Sequence, residues 1–572
     1  MKRLKPYLFL SILILNFLPT SKLAAQNIRL VSDSGIAGYF ANPVDGYVTC
    51  VGSFAELRRN HFHGGLDVRT GGKIGVPIKA SADGYVSRIN KSAYGYGNCI
   101  YIAHPNGYTT VYAHLDHFNP YLENWIDRVH YLEENFEINV YPKPTELIVK
   151  KGDIIAYSGN TGGSSGPHLH FEVRKTSTEA PTNPLLFKMD ITEKLGPKFL
   201  SCYLHTYDAD FIKTDGFLPY SYIGLPNGTT REVAPGKYAL SAKIRDYFQS
   251  YGENMGVNYL EMYVNDIVAF QMNIEQFTFN ETRYLNSIMD FAMYKKNGGM
   301  AYRFWKDEGN MLPWYPKKQK EYGIIDLPES QVEPVKITLK AYDVNMKETK
   351  LTFFLKVNVE LKSSVLKRTD APTDPMVKYD EDFYFNDAKA LVLIPKYTVY
   401  NSMYFNHDIG SNSYGATLRV FDVSIPLHQY INVGLLIGNT VETDKNKLYI
   451  KYNNGGSNKA CETVRNGNWL YAKGKETGEY SISADLTAPY IKALSTGYKG
   501  NFSFSISDGG TGIKSYRAEV DGNWLLLDFD GKYARLKGIA TAERFGKGKH
   551  TFTLLVTDKV GNENKVTYTF YL

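Results

Sequence analysis

Two histidines one residue apart, His168 and His170, follow a run rich in glycine, serine and threonine, and this pair most constrains what the chain can be. The run 158–167 is typical of a loop, and the residues from His168 onward predict a strand. Because side chains alternate across a strand, both imidazoles are expected on one face, with Leu169 and Phe171 on the other. The pair could ligate one metal ion, or one imidazole could ligate while the other moves protons; two ordinary surface histidines are the simpler alternative.

A second motif lies upstream, where His63 and Asp67 are separated by two glycines and a leucine. Glycine allows backbone conformations that other residues avoid, so we expect these two side chains to converge. Imidazole and carboxylate are both zinc ligands, and three protein ligands plus a water make a catalytic zinc site. One downstream histidine would complete the three, which leaves the other for proton transfer or for stabilising an oxyanion. His61, two residues before His63, is a rival candidate for a metal or substrate contact.

Between the two motifs the chain predicts a β-hairpin, with strands at 98–104 and 108–114 and a Pro-Asn-Gly turn between them. On the second strand Thr110, Tyr112 and His114 are expected to share a face. Taken alone, His114 is more typical of a buried, hydrogen-bonded histidine than of a catalytic one.

The order and spacing of these motifs resemble those of the lysostaphin-type zinc metallo-endopeptidases, which cut peptide bonds in bacterial peptidoglycan. The resemblance covers about residues 35–187 and rests on six motifs: His63-x-x-x-Asp67, Ala82-Asp83-Gly84-Tyr85-Val86, Gly95-Tyr96-Gly97-Asn98, Tyr112-Ala113-His114-Leu115, Lys151-Gly152-Asp153-Ile154-Ile155 and Gly166-Pro167-His168-Leu169-His170-Phe171-Glu172.

The resemblance implies a role for each histidine of the motifs. His63, Asp67 and His170 are expected to ligate one Zn²⁺ per chain. His114 and His168 are expected to be the catalytic pair that activates water and stabilises the tetrahedral intermediate. All five positions are filled, as in a catalytic member of the family. The expected substrate contacts are Asn98, Tyr112, Thr161 and Ser165.

The N-terminus predicts export. Residues 1–26 combine a basic start, an apolar run from Tyr7 to Leu18 and small residues near a cleavage point, as in a secretory signal peptide. The apolar run is short for a membrane span, although an uncleaved anchor is the alternative, and no later segment predicts a transmembrane helix. Without the four basic residues of 1–25, the 65 Lys/Arg fall to 61 against 59 Asp/Glu. The mature chain is then almost neutral, which argues against nucleic acid or an anionic membrane as partner.

The region 119–134 predicts a helix, with Asn119 as cap, Pro120 at the first position and Leu122, Trp125, Ile126, Val129 and Leu132 at helical spacing. We expect a helical insertion at about 118–144, either a packing element or a wall of the substrate groove. None of the four cysteines forms a C-x-x-C pair. A Cys50–Cys99 disulfide and four separate buried thiols are both compatible with export.

The remaining chain predicts β domains, because short runs of Tyr, Phe, Val, Ile and Thr alternate with Gly, Asn and Asp. A sequence pattern in which a strand ends in Asp before a turn recurs near 235–246, 337–343 and 548–558. It resembles the last hairpin of immunoglobulin-like bacterial modules. The expected order is a signal peptide (1–26), the peptidase domain (27–190), a β-sandwich (191–360), a β-rich domain (361–482) and an immunoglobulin-like β-sandwich (483–572).

The sequence thus predicts a mainly β, exported zinc endopeptidase, periplasmic or extracellular, that cuts the stem peptides or cross-links of peptidoglycan. Two alternatives stay open: a non-catalytic regulator or scaffold of cell-wall enzymes, and a zinc peptidase that acts on proteins. The C-terminal β domains could space the enzyme, inhibit its groove, or bind a glycan or a cell-envelope protein.

Overall fold

A computed structural model describes residues 37–572, except 47, 192–194, 210–211, 213–217, 249–254, 316–321, 362–373, 440–443 and 457. The predicted signal peptide therefore lies outside the described residues. The fold is mainly β, as predicted. Within the described part of the chain, no helix has the length and apolar character needed to cross a membrane.

The first β unit, defined here by its eleven-stranded sheet, follows the order β1-β2-β10-β6-β5-β4-β7. β3 pairs with β9, β9 with β6, β8 with β4, and β11 with β10, all antiparallel. The strands are β1 (Cys50–Gly52), β2 (Leu66–Arg69), β3 (Pro77–Lys79), β4 (Gly84–Lys91), β5 (Asn98–Ala103), β6 (Tyr108–Phe118), β7 (Ile138–Val140), β8 (Ile148–Val149), β9 (Ile154–Ser158), β10 (His168–Lys175) and β11 (Ala180–Thr182).

The predicted helix is present as α1 (Pro120–Glu133), and it begins where its capping chemistry places it. The Asn119 side chain accepts the backbone N–H of Leu122 at 2.9 Å, and Pro120 occupies the first turn. Leu122 and Ile126 are buried in the core of the first unit, whereas Leu132 is 83 % exposed. The buried face continues to His130, which is also buried, and Leu132 lies outside it.

The second β unit comprises two five-stranded sheets, ordered β13-β12-β15-β18 with β19 beside β15, and β14-β21-β20-β16-β17. Its helices are α2 (Leu285–Ile288) and α3 (Phe291–Asn297). Its strands are β12 (Lys198–Tyr207), β13 (Tyr220–Gly224), β14 (Thr230–Val233), β15 (Gly236–Arg245), β16 (Tyr259–Val264), β17 (Ile267–Asn273), β18 (Tyr302–Arg303), β19 (Ile325–Leu327), β20 (Val335–Tyr342) and β21 (Glu348–Val357).

The third β unit pairs two five-stranded sheets, ordered β23-β24-β28-β32-β31 and β26-β27-β33-β29-β30, with a small β22-β25 ladder. Its strands are β22 (Met376–Val377), β23 (Phe383–Asn386), β24 (Ala390–Ile394), β25 (Met403–Tyr404), β26 (His407–Asn412), β27 (Gly415–Val420), β28 (Ile431–Leu436), β29 (Leu448–Asn453), β30 (Asn458–Ala460), β31 (Thr463–Asn466), β32 (Trp469–Gly474) and β33 (Gly478–Ala484).

The fourth β unit has two four-stranded sheets, ordered β34-β35-β39-β38 and β37-β36-β40-β41. Its strands are β34 (Tyr490–Tyr498), β35 (Asn501–Ser507), β36 (Ile513–Val520), β37 (Asn523–Trp524), β38 (Asp528–Asp530), β39 (Arg535–Ile539), β40 (Lys549–Asp558) and β41 (Glu563–Tyr571), and its helix is α4 (Ala542–Phe545). We propose that the four units are the domains expected from the sequence; residues 362–373, between the second and third units, lie outside the described residues.

The recurring strand-Asp-turn pattern adopts two different arrangements. In the second and fourth units it forms antiparallel hairpins, β20–β21 and β40–β41. The first occurrence does not form a hairpin with the following strand, because β15 and β16 lie in different sheets. Local turn chemistry does not determine which sheet the next strand joins.

The first and second units share a hydrophobic core. Phe54, Leu57 and Phe62 precede the second strand of the first unit, yet they pack in the core of the second unit. The Phe62 ring lies 5.4 Å from that of Phe277 and 5.0 Å from that of Trp314. The hairpin 53–63, which ends in His63, is thus fixed by residues more than 200 positions away in the chain.

The fourth unit also contacts the first. Trp524 packs edge-on against Tyr131 of α1, with ring centroids 5.0 Å apart. Lys532 donates to the carbonyl oxygen of Asn160 and, at 3.0 Å, to its side-chain oxygen. The loop that precedes His168 is therefore braced from outside its own unit.

Candidate metal centre and active site

Adjacent strands bring the predicted ligands together. β10 pairs with β2 so that His170 lies opposite Asp67 and His168 opposite Arg69. As predicted, Leu169 and Phe171 point into the core of the first unit, and both are fully buried. His63 arrives from the hairpin 53–63 and completes the group.

The donor atoms of the three predicted ligands form a compact triangle. His63 Nε2 lies 2.9 Å from Asp67 Oδ1 and 2.9 Å from His170 Nδ1, and His170 Nδ1 lies 3.0 Å from Asp67 Oδ1. All three side chains are buried. Two imidazole nitrogens and one carboxylate oxygen at this spacing could each reach a single ion at the 2.0–2.2 Å that zinc prefers with such ligands.

Hydrogen bonds to the opposite ring nitrogens orient both imidazoles. His63 Nδ1 donates to the backbone carbonyl of Ser53 at 2.7 Å, which leaves Nε2 toward the triangle. His170 Nε2 donates to Glu172 Oε1 at 2.7 Å, which leaves Nδ1 toward it. Such second partners select the tautomer in which the inward nitrogen can bind a metal.

Charged neighbours complete the support of the triangle. Arg58 Nη2 donates to Asp67 Oδ2 at 2.6 Å, so Oδ1 remains directed at the two imidazoles. Arg174 Nε donates to Glu172 Oε2 at 2.6 Å, and both side chains are nearly inaccessible to solvent. Neither Arg58 nor Glu172 was assigned a role from the sequence.

The pKa values of these groups follow from burial and from one another. Burial alone would raise the pKa of Asp67, but His63 and hydrogen bonds from His168 and His170 hold it well below its usual value. Burial lowers the pKa of His63. The pKa of His170 is raised to about 9, because its bonds to Asp67 and Glu172 outweigh burial. Asp67 is therefore ionised and presents a carboxylate where a cation would bind.

The glycines between His63 and Asp67 serve close packing, and our expectation that they provide unusual backbone angles was wrong. Neither Gly64 nor Gly65 has a positive φ. A Cβ on Gly65 would lie 2.1 Å from the carbonyl oxygen of Phe171, and a Cβ on Gly64 would lie 2.6 Å from Glu172 Oε1. The absent side chains let this segment lie directly against β10.

His114 reaches the site through an irregularity in β6. Its φ is +59°, and the pairing with β5 shifts register between Asn98 and Ile100. The predicted shared face of Tyr112 and His114 is therefore wrong. Tyr112 points into the core, whereas the His114 ring lies 4.9 Å from that of His168.

The two predicted catalytic histidines flank the triangle. His114 Nδ1 donates to the carbonyl of Thr161 at 2.9 Å, and burial, with the neighbouring His170 and His168, lowers its pKa to about 3. His114 is thus a neutral imidazole whose Nε2 carries no proton. His168 Nδ1 donates to the carbonyl of Gly166 at 2.8 Å, and its Nε2 lies 3.3 Å from Asp67 Oδ1.

A groove of about 830 Å³ lies over the triangle, and only some predicted substrate contacts line it. Ser165 and the rival candidate His61 are at its surface. Tyr112 is not a substrate contact: it is fully buried, and its hydroxyl accepts the N–H of Ser81. Asn98 and Thr161 also lie outside the groove lining.

Asn98 and Thr161 instead build the loop that holds His114. The backbone N–H of Asn98 donates to Thr161 Oγ1 at 3.0 Å, and the Asn98 amide donates to the carbonyl of Asp116 at 3.0 Å. The predicted helix α1 contributes no residue to the described lining of this groove, which favours a packing element over a wall of the substrate groove.

These observations define the class: an antiparallel β domain with a buried His-Asp-His metal site and two further histidines at the floor of a groove. A model described as "Peptidase family M23" matches residues 61–128 and 136–184. This part of the chain belongs to the lysostaphin-type M23 peptidases, as the motifs predicted. A second model, described as "Zu5-like domain", matches residues 374–485, which is the third unit.

Curated relatives agree with this assignment. The chain is similar to the DD-carboxypeptidase/endopeptidase Mpg of Neisseria meningitidis, with 34 % identity over 123 residues, or 22 % of each chain. It is 36 % identical over 111 residues to the peptidoglycan DD-endopeptidase ShyB of Vibrio cholerae, covering 19 % of this chain and 20 % of that protein. With lysostaphin of Staphylococcus simulans it shares 31 % identity over 117 residues, covering 20 % and 19 %. The chain thus spans about a fifth of the length of these relatives.

Proposed function

We propose that this protein is a zinc-dependent endopeptidase that hydrolyses peptide bonds in the stem peptides or cross-links of peptidoglycan. The triangle of His63, Asp67 and His170 at the floor of a groove carries the proposal, together with the two histidines beside it. The relative named as a peptidoglycan DD-endopeptidase supports the choice of substrate.

The donor set fits zinc. Two imidazoles and a carboxylate are a common ligand set of catalytic zinc, and softer thiolates are absent from this group. His63 Nε2, Asp67 Oδ1 and His170 Nδ1 would hold the ion. When bound, zinc would supply a Lewis acid for the scissile carbonyl and a water of lowered pKa.

The protein's own residues would then manage protons and charge. His114, held neutral with its Nδ1 on the Thr161 carbonyl, presents Nε2 as an acceptor for a proton of the attacking water. His168 carries a proton on Nδ1, and protonation at Nε2 would let it donate a hydrogen bond to the developing oxyanion. Glu172 and Ser53 keep the two ligand imidazoles in the required tautomers.

The test is mass spectrometry of fragments released from purified peptidoglycan by the zinc-loaded chain from residue 27 onward. New peptide termini are expected with the native protein and not with Asp67→Ala, which should also fail to retain zinc. His114→Ala should retain one zinc per chain and lose turnover by a factor of about 10²–10⁴, the usual contribution of a general base.

His117→Ala is the matched control for His114→Ala, because His117 lies three residues away on the same strand with its side chain half-exposed. It should leave both zinc content and turnover unchanged. A His114→Ala protein with full activity would refute the assigned role of His114. Failure of zinc-loaded native protein to release any fragment would refute the peptidoglycan endopeptidase proposal.

We further propose that the protein is exported and works in the periplasm or outside the cell, consistent with a cell-wall substrate. The three C-terminal units would then position the enzyme and could contact a glycan or an envelope protein. Comparing the size of the purified cellular protein with the full-length chain tests the predicted cleavage near residue 26.

A further inference from the structure

One wall of the groove comes from outside the peptidase domain. Phe279 and Thr282 of the second unit line the groove beside Arg58 and His61. Phe279 is 42 % exposed, whereas Phe270 and Phe277 of the same unit are buried. An aromatic side chain that is exposed inside a groove next to a metal site is available to contact a bound ligand.

The segment that carries Phe279 is rigidly attached to the peptidase domain. Gln276 forms a β-bridge with Thr182 at the end of β11, which adds the segment to the first unit's sheet. Thr282 Oγ1 accepts the backbone N–H of Phe62 at 2.9 Å. Trp314 Nε1 donates to the carbonyl of Gln276 at 2.8 Å. The wall is therefore preformed and needs no movement to receive a substrate.

One face of the Phe279 ring is already occupied. The Arg174 guanidinium carbon lies 4.5 Å from the ring centroid, and Arg174 is itself bound to Glu172. Arg174 cannot turn into the groove without leaving the buried Glu172 Oε2 without its charged partner, so it supports the ring and does not compete for substrate. The remaining ring surface offers an apolar contact.

Other groove positions have no side chains at all. Glycines line the groove at five positions besides Gly64, and a Cβ at Gly71, Gly72 or Gly166 would meet nothing within 4 Å. These open positions leave room for the backbone of an extended peptide but provide few side-chain contacts to it. Among the apolar and aromatic lining residues that the structure describes, Phe279 is the most exposed, so it is the one best placed to distinguish one peptide side chain from another there.

We propose that Phe279 is a specificity-determining residue that binds an aliphatic side chain of the peptide substrate. This inference rests on the proposed peptidase function and names its substrate class more closely. A long aliphatic side chain fits best, such as the methylene chain of the diamino acid through which stem peptides are cross-linked. A small residue at that position would leave the ring partly exposed.

The experiment uses the full zinc-loaded chain and two linear stem peptides, one with the diamino acid and one with alanine in its place. The native protein should favour the first by about tenfold in kcat/KM, the usual discrimination of a hydrophobic contact. Phe279→Ala should bring that ratio close to one, mainly through KM. Phe279→Leu, which keeps an apolar side chain, should retain most of it.

Two controls separate a substrate contact from a structural role. Tyr384→Ala removes an aromatic side chain that is 71 % exposed on the third unit, and it should leave the ratio unchanged. Zinc content should be the same in all variants. If Phe279→Ala loses zinc, Phe279 acts on His170 through Arg174 and Glu172, and the proposed substrate contact is wrong.

The remaining outcomes distinguish this inference from the proposed function. An unchanged ratio in Phe279→Ala, with active native protein, overturns the specificity role alone. Cleavage of intact peptidoglycan without cleavage of either peptide also overturns it, because the groove would then not recognise this side chain. If the native protein cleaves neither of the two peptides nor intact peptidoglycan, both the proposed function and this substrate assignment are overturned.

Discussion

Removing the second β unit should destroy the metal site although every predicted ligand remains. The perturbation is a fragment of residues 27–190, which contains His63, Asp67 and His170 but none of the second unit. In the full chain, Phe54, Leu57 and Phe62 are 1 %, 7 % and 2 % exposed, and they pack in the second unit's core. Without that unit all three side chains face water.

The loss can be estimated from these side chains. Burying one such residue is worth about 1.5–3 kcal/mol, so re-exposing three costs roughly 6 kcal/mol. That is comparable with the total stability of an ordinary domain, about 5–15 kcal/mol. The hairpin 53–63 also loses the hydrogen bond from the Gly256 N–H to Ser53 Oγ at 2.8 Å. Since Ser53 holds the His63 ring, the first ligand loses its position.

The assay is zinc stoichiometry after dialysis, together with hydrogen exchange of residues 53–63. The fragment 27–190 should hold far less than one zinc and exchange rapidly in the hairpin, whereas the full chain should hold one and be protected. A fragment 27–361, which restores the second unit, should recover both. Stoichiometric zinc with native affinity in the fragment 27–190 would refute the reasoning, because it would show that His63 needs no support from the second unit.

Two further predictions concern single residues, and a third concerns the four cysteines. Glu172→Gln should weaken zinc binding by about 10–100-fold in a competition titration, because it removes the carboxylate that orients His170; an unchanged affinity would contradict this. Gly65→Ala should lower the free energy of unfolding by about 1–3 kcal/mol in urea melts, because its Cβ would collide with backbone, whereas Gly166→Ala should leave it near native. Native protein should leave three buried thiols unlabelled by a maleimide and label half-buried Cys461 slowly, since burial protects them; a Cys50–Cys99 disulfide would instead show as two thiols missing after denaturation.

Much of the peptidase fold could be predicted because its signals are local. The alternation from His168 onward, the Pro-Asn-Gly turn and the Asn119 cap each depend on residues within one element. The β6 irregularity at His114 could not be predicted from the sequence. A positive φ at a histidine follows from how neighbouring strands pair, and it leaves no local sequence pattern. That one residue turns the His114 side chain away from the buried face that Thr110 and Tyr112 share.

The same distinction explains the candidate site. The donor residues were identifiable because their chemistry is written in short motifs, and the structure brings their atoms within one coordination sphere. The side chains that support these donors were not identifiable from the sequence. Arg58 contacts Asp67 from across a turn, and Phe279 lies more than 100 residues from Arg174 in the chain. Arginine and phenylalanine are common residues, so only the tertiary structure gives these two a role.

The position of His63 links the chemistry of the first unit to the packing of the second. His63 is a residue of the peptidase domain by its chemistry, but the segment that precedes it belongs to the core of the second unit. On the far side of the groove, the fourth unit contacts the loop of Asn160, whose neighbour Thr161 holds His114. Both the metal site and the proposed general base are therefore supported from outside the first unit, and the geometry of the groove depends on the second and fourth units as well.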